Sequence, residues 1–232
     1  MTELQEILAS SQNILPEWIL IIGILLLVVI ISFQKDDSKW PYRFSFLLVL
    51  GYTFLATYYY ENLPNEGIKL FGDLLILDKT SLFFKQLVTL SAIIFLIHSR
   101  LFKYKFAGEI YFLILCLLLG LSFLAMTTHF LVIYVSIELV SISSYVLVAT
   151  KNDKKNFEAA IKYLIFGAAS SAIMLYGISL FYGIGHTLNF ADSVFLKSIA
   201  TNSPLIIQII SFLFLAGLFF KIAAAPFQSW VP

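Results

Sequence analysis

Charged residues are scarce in this 232-residue sequence, and their scarcity excludes an ordinary soluble domain. Asp, Glu, Lys and Arg make up 12% of the chain, whereas hydrophobic residues make up 60% and the mean hydropathy is +0.91. Soluble domains are about half apolar and about a quarter charged, so the composition indicates an integral membrane protein. The formal net charge of +1 provides no basic surface, which argues against a nucleic-acid-binding protein.

Residues that bind redox cofactors are also rare. The single cysteine, Cys116, lies inside an apolar run, so the chain can form neither an intrachain disulfide nor a cysteine-ligated iron–sulfur cluster. The three histidines show no metal-ligand spacing, and the sequence contains no Gly-rich phosphate loop. We therefore expect no cofactor, metal or redox centre in this chain.

Long apolar runs dominate the sequence instead. A helix needs roughly 20 mostly apolar residues to cross the hydrocarbon of a bilayer. Seven runs meet this length, and they are numbered spans 1 to 7: about 16–33, 42–60, 81–99, 109–127, 130–149, 158–183 and 205–225. The pattern predicts an all-α, polytopic membrane helix bundle. The acidic N-terminal segment lacks the basic region of a cleaved signal peptide.

Basic residues are concentrated on one side of the predicted bundle. The loops after spans 1, 3 and 5, with their flanks, contain nine Lys and Arg residues, whereas the loops after spans 2, 4 and 6 contain three. Because basic loops remain on the cytoplasmic side of a membrane, the N-terminus is predicted to lie outside.

Three ionisable residues fall where lipid disfavours them: Glu138 in span 5, Lys162 in span 6 and Lys221 in span 7. A charge at the centre of the bilayer costs about 2.5–3.5 kcal/mol even on insertion scales, so such residues usually face a partner or water and mark a pathway. Glu138 lies about 13 Å from the nearer end of its span and is too short to reach the surface. A buried structural cap is the alternative role for this carboxylate.

The depth of Lys162 depends on where its helix begins. A start near Glu158 leaves Lys162 one turn inside, where it could extend to the surface. A start near Asp153 places it roughly 13 Å deep, almost level with Glu138, and we expect an ion pair between these two residues. By contrast, Lys85 and Glu109 lie within a turn of span ends and are expected to reach the interface.

The position of Lys221 depends on Pro226. Proline lacks a backbone donor, so the sequence predicts a helix break at Pro226. If the helix resumes beyond the break, Lys221 lies at mid-depth beside unwound backbone, as in the ion sites of transporters. In the last turn of a finished span it would instead extend to the surface. Because lipid does not tolerate unsatisfied backbone groups, we expect the polypeptide to continue beyond Pro232.

The segments that carry these charges resemble a known family. The sequence is similar to subunit N of NADH:quinone oxidoreductase (complex I), the homologue of chain 2 of the mitochondrial enzyme, over about the first half of that subunit. The resemblance rests on five segments: PEWILIIGILLL at Pro16, LDKTSLFFK at Leu77, SIELVSISSYVL at Ser136, FEAAIKYLIFGAASSAIMLYGISLFYG at Phe157 and GLFFKIAAAPFQSW at Gly217.

The resemblance implies a fold and a set of site residues. Antiporter-like subunits have two inverted five-helix repeats, each with a broken helix, and proton transfer in them is coupled to quinone chemistry elsewhere in the complex. Glu138 would match the acidic residue of the fifth helix, Lys162 the lysine of the sixth, and Lys221 the lysine beside the break in the seventh. Gln228 stands where the family usually has His, so a proton role at that position is in doubt.

The same resemblance divides the chain into a three-span segment, 1–108, and a first antiporter-like repeat, 109–232, that is incomplete at its C-terminus. It implies a proton-translocating subunit in a complex that uses NADH, FMN, iron–sulfur clusters and quinone. The partners would be the other antiporter-like and small helical membrane subunits, in a bacterial inner membrane or a mitochondrial inner membrane. Two alternatives remain: a subunit of a cation/proton antiporter or membrane-bound hydrogenase, and a structural membrane scaffold that does not pump.

Overall fold

The chain folds into two compact helical units, Met1–Thr127 and Thr128–Pro232. The computed structural model describes residues 3–33, 39–64, 67–102, 107–150, 153–225 and 227. These units are defined by their internal packing, whereas the boundary expected at residue 108 concerns the repeat structure and stays a prediction.

The N-terminal unit contains five helices and one hairpin in its described residues. The elements are α1 (Glu3–Asn13), α2 (Leu15–Phe33), α3 (Trp40–Asn62), β1 (Ile68–Leu70), β2 (Leu75–Leu77), α4 (Lys79–Leu101) and α5 (Gly108–Leu124). Helix α2 packs against α3 and α5, and α4 packs against the same two helices. Four helices therefore surround one interior.

The antiparallel hairpin closes one end of this unit. Ile68 pairs with Leu77 and Leu70 with Leu75, and the turn between the strands includes the positive φ of Gly72 (63°). The amide of Ile76 donates to the Met126 carbonyl after α5 at 2.5 Å. The sequence predicted only a polar loop here, because strands of three residues are too short to show a period.

Helix α4 begins at a well-defined cap. The Asp78 carboxylate accepts from the Ser81 amide at 2.6 Å, while the Ser81 hydroxyl lies 2.9 Å from the Asp78 amide. These reciprocal bonds satisfy donors that a helix start otherwise leaves open. The cap fixes the position at which Lys85 emerges, two turns farther along α4.

The C-terminal unit contains α6 (Phe130–Ala149), α7 (Lys154–Gly185), α8 (Ser193–Thr201) and α9 (Pro204–Lys221). Helix α7 packs against both α6 and α9. Small residues permit the close approach of α7 and α9: a Cβ at Gly177 would lie 2.8 Å from the backbone nitrogen of Phe214. The Ser170 hydroxyl also donates to the Gly217 carbonyl at 3.0 Å.

All seven predicted spans coincide with helices. Five of the described helices are long and apolar enough to cross a membrane: Leu15–Phe33, Lys79–Leu101, Phe130–Ala149, Lys154–Gly185 and Pro204–Lys221. Helices α3 and α5 occupy the other two predicted spans, and their crossing stays a prediction. Large apolar side chains cover the outer faces, as lipid requires; Phe33, Phe54 and Leu101 are examples.

Candidate functional site

The middle of α6 carries Glu138, the carboxylate at the centre of the C-terminal unit. Its Oε1 atom accepts a hydrogen bond from the Ser171 hydroxyl of α7 and lies 3.3 Å from the Lys221 Nζ atom of α9. The Glu138 side chain is 25% exposed and that of Lys221 is 9% exposed. All three helices of the core therefore meet at one carboxylate oxygen.

Lys221 has two further partners on α6. Its Nζ atom donates to the Ser141 hydroxyl at 2.9 Å and to the Tyr145 hydroxyl at 3.0 Å. Glu138, Ser141 and Tyr145 are the three acceptors, and their spacing of three and four residues places them on one face of α6. An ammonium group has three donors, so this face provides a complete set of acceptors for Lys221.

Helix α9 ends at Lys221. Ala223 adopts the left-handed conformation with φ 51°, the Ala224 amide donates to the Phe219 carbonyl at 2.9 Å, and the Ala223 amide donates to the Phe220 carbonyl at 3.1 Å. This double bonding is the Schellman ending, which usually has glycine at the position of Ala223. The carbonyl end of a helix attracts cations, and Lys221 is the last residue of α9.

The helix therefore terminates several residues before the proline on which the sequence-based prediction relied. Pro226 itself and Gln228 lie outside the described residues. The predicted break at Pro226 stays a prediction, while the unwinding beside Lys221 is observed at Ile222–Ala223.

Tyr145 occupies a notch in α7. A Cβ atom at Gly167 would collide with the Tyr145 hydroxyl, so glycine leaves room for the ring. The ring also packs edge-on against Tyr163 with centroids 4.4 Å apart, and the Ser144 hydroxyl donates to the Tyr163 hydroxyl at 3.1 Å. These hydroxyls extend the polar site from Lys221 towards the start of α7.

The structure separates Lys162 from Glu138. Helix α7 begins at Lys154, capped by the Asp153 carboxylate, which settles the start in favour of the longer alternative. Lys162 nevertheless forms its ion pair with Glu158 of the same helix at 2.6 Å, and its side chain is 62% exposed. The expected ion pair between Lys162 and Glu138 is wrong: Lys221 takes that place.

The face of α7 explains this outcome. Ser171 contacts Glu138, and it follows Lys162 by about two and a half helical turns, so the two side chains point in opposite directions. The distance of a residue along the helix axis does not reveal the direction in which its side chain points around that axis. A role of Lys162 in proton transfer stays a prediction.

A second charged pair lies in the N-terminal unit, where none was predicted. The Lys85 Nζ atom lies 2.8 Å from the Glu17 Oε1 atom, and their side chains are 2% and 0% exposed. The expectation that Lys85 reaches the interface is therefore wrong, whereas Glu109 is exposed in the first turn of α5. The position of Lys85 near the start of its span suggested a surface location, but its side chain points towards α2.

Two hydroxyls complete this second site. The Tyr52 hydroxyl of α3 lies 3.0 Å from Glu17 Oε1 and 2.8 Å from the Ser122 hydroxyl of α5. A signal for the pair was present in the sequence: spans 1 and 3 run in the same direction and carry opposite charges near the same end. Within the described part of the chain, no group of three or more His, Cys, Asp or Glu residues is placed to hold a metal.

Comparison with known proteins identifies the family. Residues 127–232 match the family model described as NADH:quinone oxidoreductase/Mrp antiporter, TM. The NADH-quinone oxidoreductase subunit N of Thiobacillus denitrificans is 34% identical over 226 residues, which cover 94% of this chain and 46% of that protein. The chain belongs to the antiporter-like family that includes subunit N of complex I.

Chains of two solved membrane complexes share the fold. A chain of respiratory complex I from Thermus thermophilus is 27% identical, with a TM-score of 0.76 over 93% of this chain and 46% of that one. A chain of an archaeal membrane-bound sulfane sulfur reductase shares the fold at 22% identity, with a TM-score of 0.78 over 94% of this chain and 46% of that one. The chain is thus an integral multi-pass membrane protein that spans about half the length of the relatives it matches.

Proposed function

We propose that this chain is a proton-translocating subunit of a respiratory NADH:quinone oxidoreductase, with Glu138 and Lys221 as the central proton-carrying pair. The observation that carries the proposal is the 3.3 Å contact between Lys221 Nζ and Glu138 Oε1 inside the C-terminal unit. The family match over residues 127–232 includes both residues. Quinone reduction would take place in other subunits, which would supply NADH, FMN and iron–sulfur clusters.

The pair can change its charge state because opposing effects act on it. At about 4 Å and an effective dielectric constant of 20, attraction between opposite unit charges amounts to about 4 kcal/mol. Removing the ions from water costs several kcal/mol for each ion. Since these energies are similar in size, a small movement of Glu138 changes how firmly Lys221 holds its proton.

The contact between Glu138 and Lys221 then controls when Lys221 keeps its proton and when it releases it. When Glu138 is ionised and close, it stabilises the Lys221 ammonium; when Glu138 turns away or is protonated, the ammonium loses this support and releases a proton. Ser141 and Tyr145 lie within hydrogen-bonding distance of Lys221 Nζ. They keep the amine oriented while its charge changes.

Lys162 is proposed as a residue that receives protons on their way to Lys221. Its ammonium lies 2.6 Å from the Glu158 carboxylate on an exposed face of α7, away from Glu138. The next residue, Tyr163, contacts Ser144 and packs against Tyr145. Polar side chains therefore connect the neighbourhood of Lys162 with Lys221, and the direct partner of Glu138 in this scheme is Lys221.

Replacing the pair tests the proposal in membrane vesicles that contain the whole complex. We expect Lys221→Ala to abolish coupled quinone reduction and Glu138→Gln to reduce proton pumping at unchanged assembly. The matched control is Lys197→Ala, which removes an exposed lysine from α8 in the same unit. Wild-type quinone reduction and pumping in an assembled Lys221→Ala complex would overturn the proposal.

A further inference from the structure

The interior of the N-terminal unit contains a closed polar site formed by one residue from each of four helices: Glu17, Tyr52, Lys85 and Ser122. Glu17, Tyr52 and Ser122 are fully buried, and Lys85 is 1% exposed. We propose that these four residues form a proton-binding site, at which a proton moves between the Lys85 amine and the Glu17 carboxyl group. The site is additional to Glu138 and Lys221; its physiological role rests on the proposed function, whereas proton binding itself does not.

The first argument is the energy of the buried charges. Two ions buried in a protein interior each carry a desolvation cost of several kcal/mol, which their mutual attraction offsets only in part. Transfer of one proton removes both charges: an N–H bond of the Lys85 ammonium breaks, an O–H bond forms on Glu17, and the net charge stays the same. The distance of 2.8 Å between Lys85 Nζ and Glu17 Oε1 permits this transfer without movement of the backbone.

The second argument comes from the hydroxyl hydrogens. Tyr52 contacts both Glu17 and Ser122, and Ser122 also contacts the Leu118 carbonyl at 2.8 Å. These three contacts need three hydrogens, but two hydroxyl groups supply only two. With Glu17 ionised, Tyr52 donates to Glu17 and Ser122 donates to the Leu118 carbonyl, so the contact between the two hydroxyls lacks a hydrogen.

Protonation of Glu17 supplies the missing hydrogen. The carboxylic acid then donates to Tyr52, Tyr52 donates to Ser122, and Ser122 donates to the Leu118 carbonyl. All three contacts are satisfied, and the Tyr52 hydroxyl has reversed direction. The chain of contacts therefore has room for one additional proton, and the binding of that proton determines the orientation of the Tyr52 hydroxyl.

The third argument is the second oxygen of the same carboxyl group. Glu17 Oε2 is buried and has no hydrogen-bond partner among the described residues. An unsatisfied charged oxygen is costly, since burial of a polar atom without a partner costs about 1–3 kcal/mol or more. This atom is the place at which a proton or a water molecule from outside the pair can bind, whereas an ion pair with a purely structural role needs no spare acceptor.

Infrared difference spectroscopy of the purified complex during turnover tests proton binding directly. We expect a carboxylic acid C=O band that is lost in Glu17→Gln and shifted in Tyr52→Phe, which keeps the ion pair but removes the hydroxyl chain. We also expect both variants to lose part of the wild-type proton-to-electron ratio. The control is Lys69→Ala, which removes an exposed ion pair with Asp73 in the same unit and should change neither measurement.

Glu17→Gln alone leaves the Lys85 ammonium buried without its partner, which can prevent folding, and two further variants avoid this problem. Glu17→Gln combined with Lys85→Met leaves no unpaired ion, and Tyr52→Phe leaves the ion pair in place. An unchanged band and an unchanged proton-to-electron ratio in these assembled variants would overturn the inference. If Lys221→Ala loses coupling in the same assay, only this inference fails; if Lys221→Ala pumps normally, the proposed function fails whatever the infrared result.

Discussion

The Tyr145 hydroxyl lies 3.0 Å from the Lys221 ammonium nitrogen, and the centroid of the Tyr145 ring lies 5.6 Å from the same atom. Together the two distances place the nitrogen beyond the hydroxyl and close to the plane of the ring, so the hydroxyl accepts a hydrogen bond and the ring face does not meet the charge. Tyr145 therefore contacts the Lys221 ammonium through its hydroxyl, and a single substitution can remove this contact.

Replacing Tyr145 by Phe keeps the ring and removes the hydroxyl. Hydrogen bonds to charged groups contribute about 1.5–3 kcal/mol, so we expect Tyr145→Phe to reduce proton pumping while the complex still assembles. Pumping is measured in vesicles beside Tyr176→Phe, which removes an exposed hydroxyl from α7. Equal pumping by the two variants would show that the hydroxyl does not support Lys221.

Replacing Gly167 by Ala tests the notch that holds Tyr145. The new Cβ would lie 2.6 Å from the Tyr145 Cζ atom, and overpacking of this kind costs about 1–3 kcal/mol. We expect Gly167→Ala to lower the thermal stability and to weaken the hydrogen bond between Tyr145 and Lys221. Gly183→Ala is the matched control, because a Cβ there meets nothing within 4 Å and should leave stability equal or slightly higher.

Replacing Ala223 by Gly tests the helix ending beside Lys221. Ala223 has a φ of 51°, where an L-residue pays about 1–2 kcal/mol that glycine avoids. Glycine loses more backbone entropy on folding, so we expect a net gain of about 0.5–1 kcal/mol in Ala223→Gly and a loss in Ala223→Val. Thermal unfolding of the purified protein measures both, and a lower stability of the glycine variant would contradict the observed ending.

Replacing Asp78 by Ala tests the cap of α4. Loss of a carboxylate cap costs about 0.5–2 kcal/mol, and Asp78→Ala should increase hydrogen exchange at the first amides of α4, including that of Ser81. Asp78→Asn retains an acceptor oxygen and should retain most of the protection. Equal exchange in Asp78→Ala and the wild type would mean that the cap contributes little.

The sequence predicted the seven long helices well because span length and apolar composition depend on the bilayer alone. It also placed Lys221 beside unwound backbone, and the structure shows the helix ending at Ile222–Ala223. The direction of the side chains could not be predicted from the sequence. Lys162 and Lys85 occupy similar positions near the starts of their helices, yet Lys162 is exposed and Lys85 is buried. Rotation about the helix axis decides between these outcomes, and an apolar span gives little periodic signal for it.

The length of α7 has a consequence for the membrane surface. Its 32 residues extend about 48 Å at 1.5 Å per residue, against roughly 30 Å of hydrocarbon. Even a lean of 40°, the upper end of the usual range, leaves a rise of about 37 Å. At least one turn of α7 must therefore extend beyond the hydrocarbon into the headgroup region, where dissolved buffer molecules can exchange protons with its side chains.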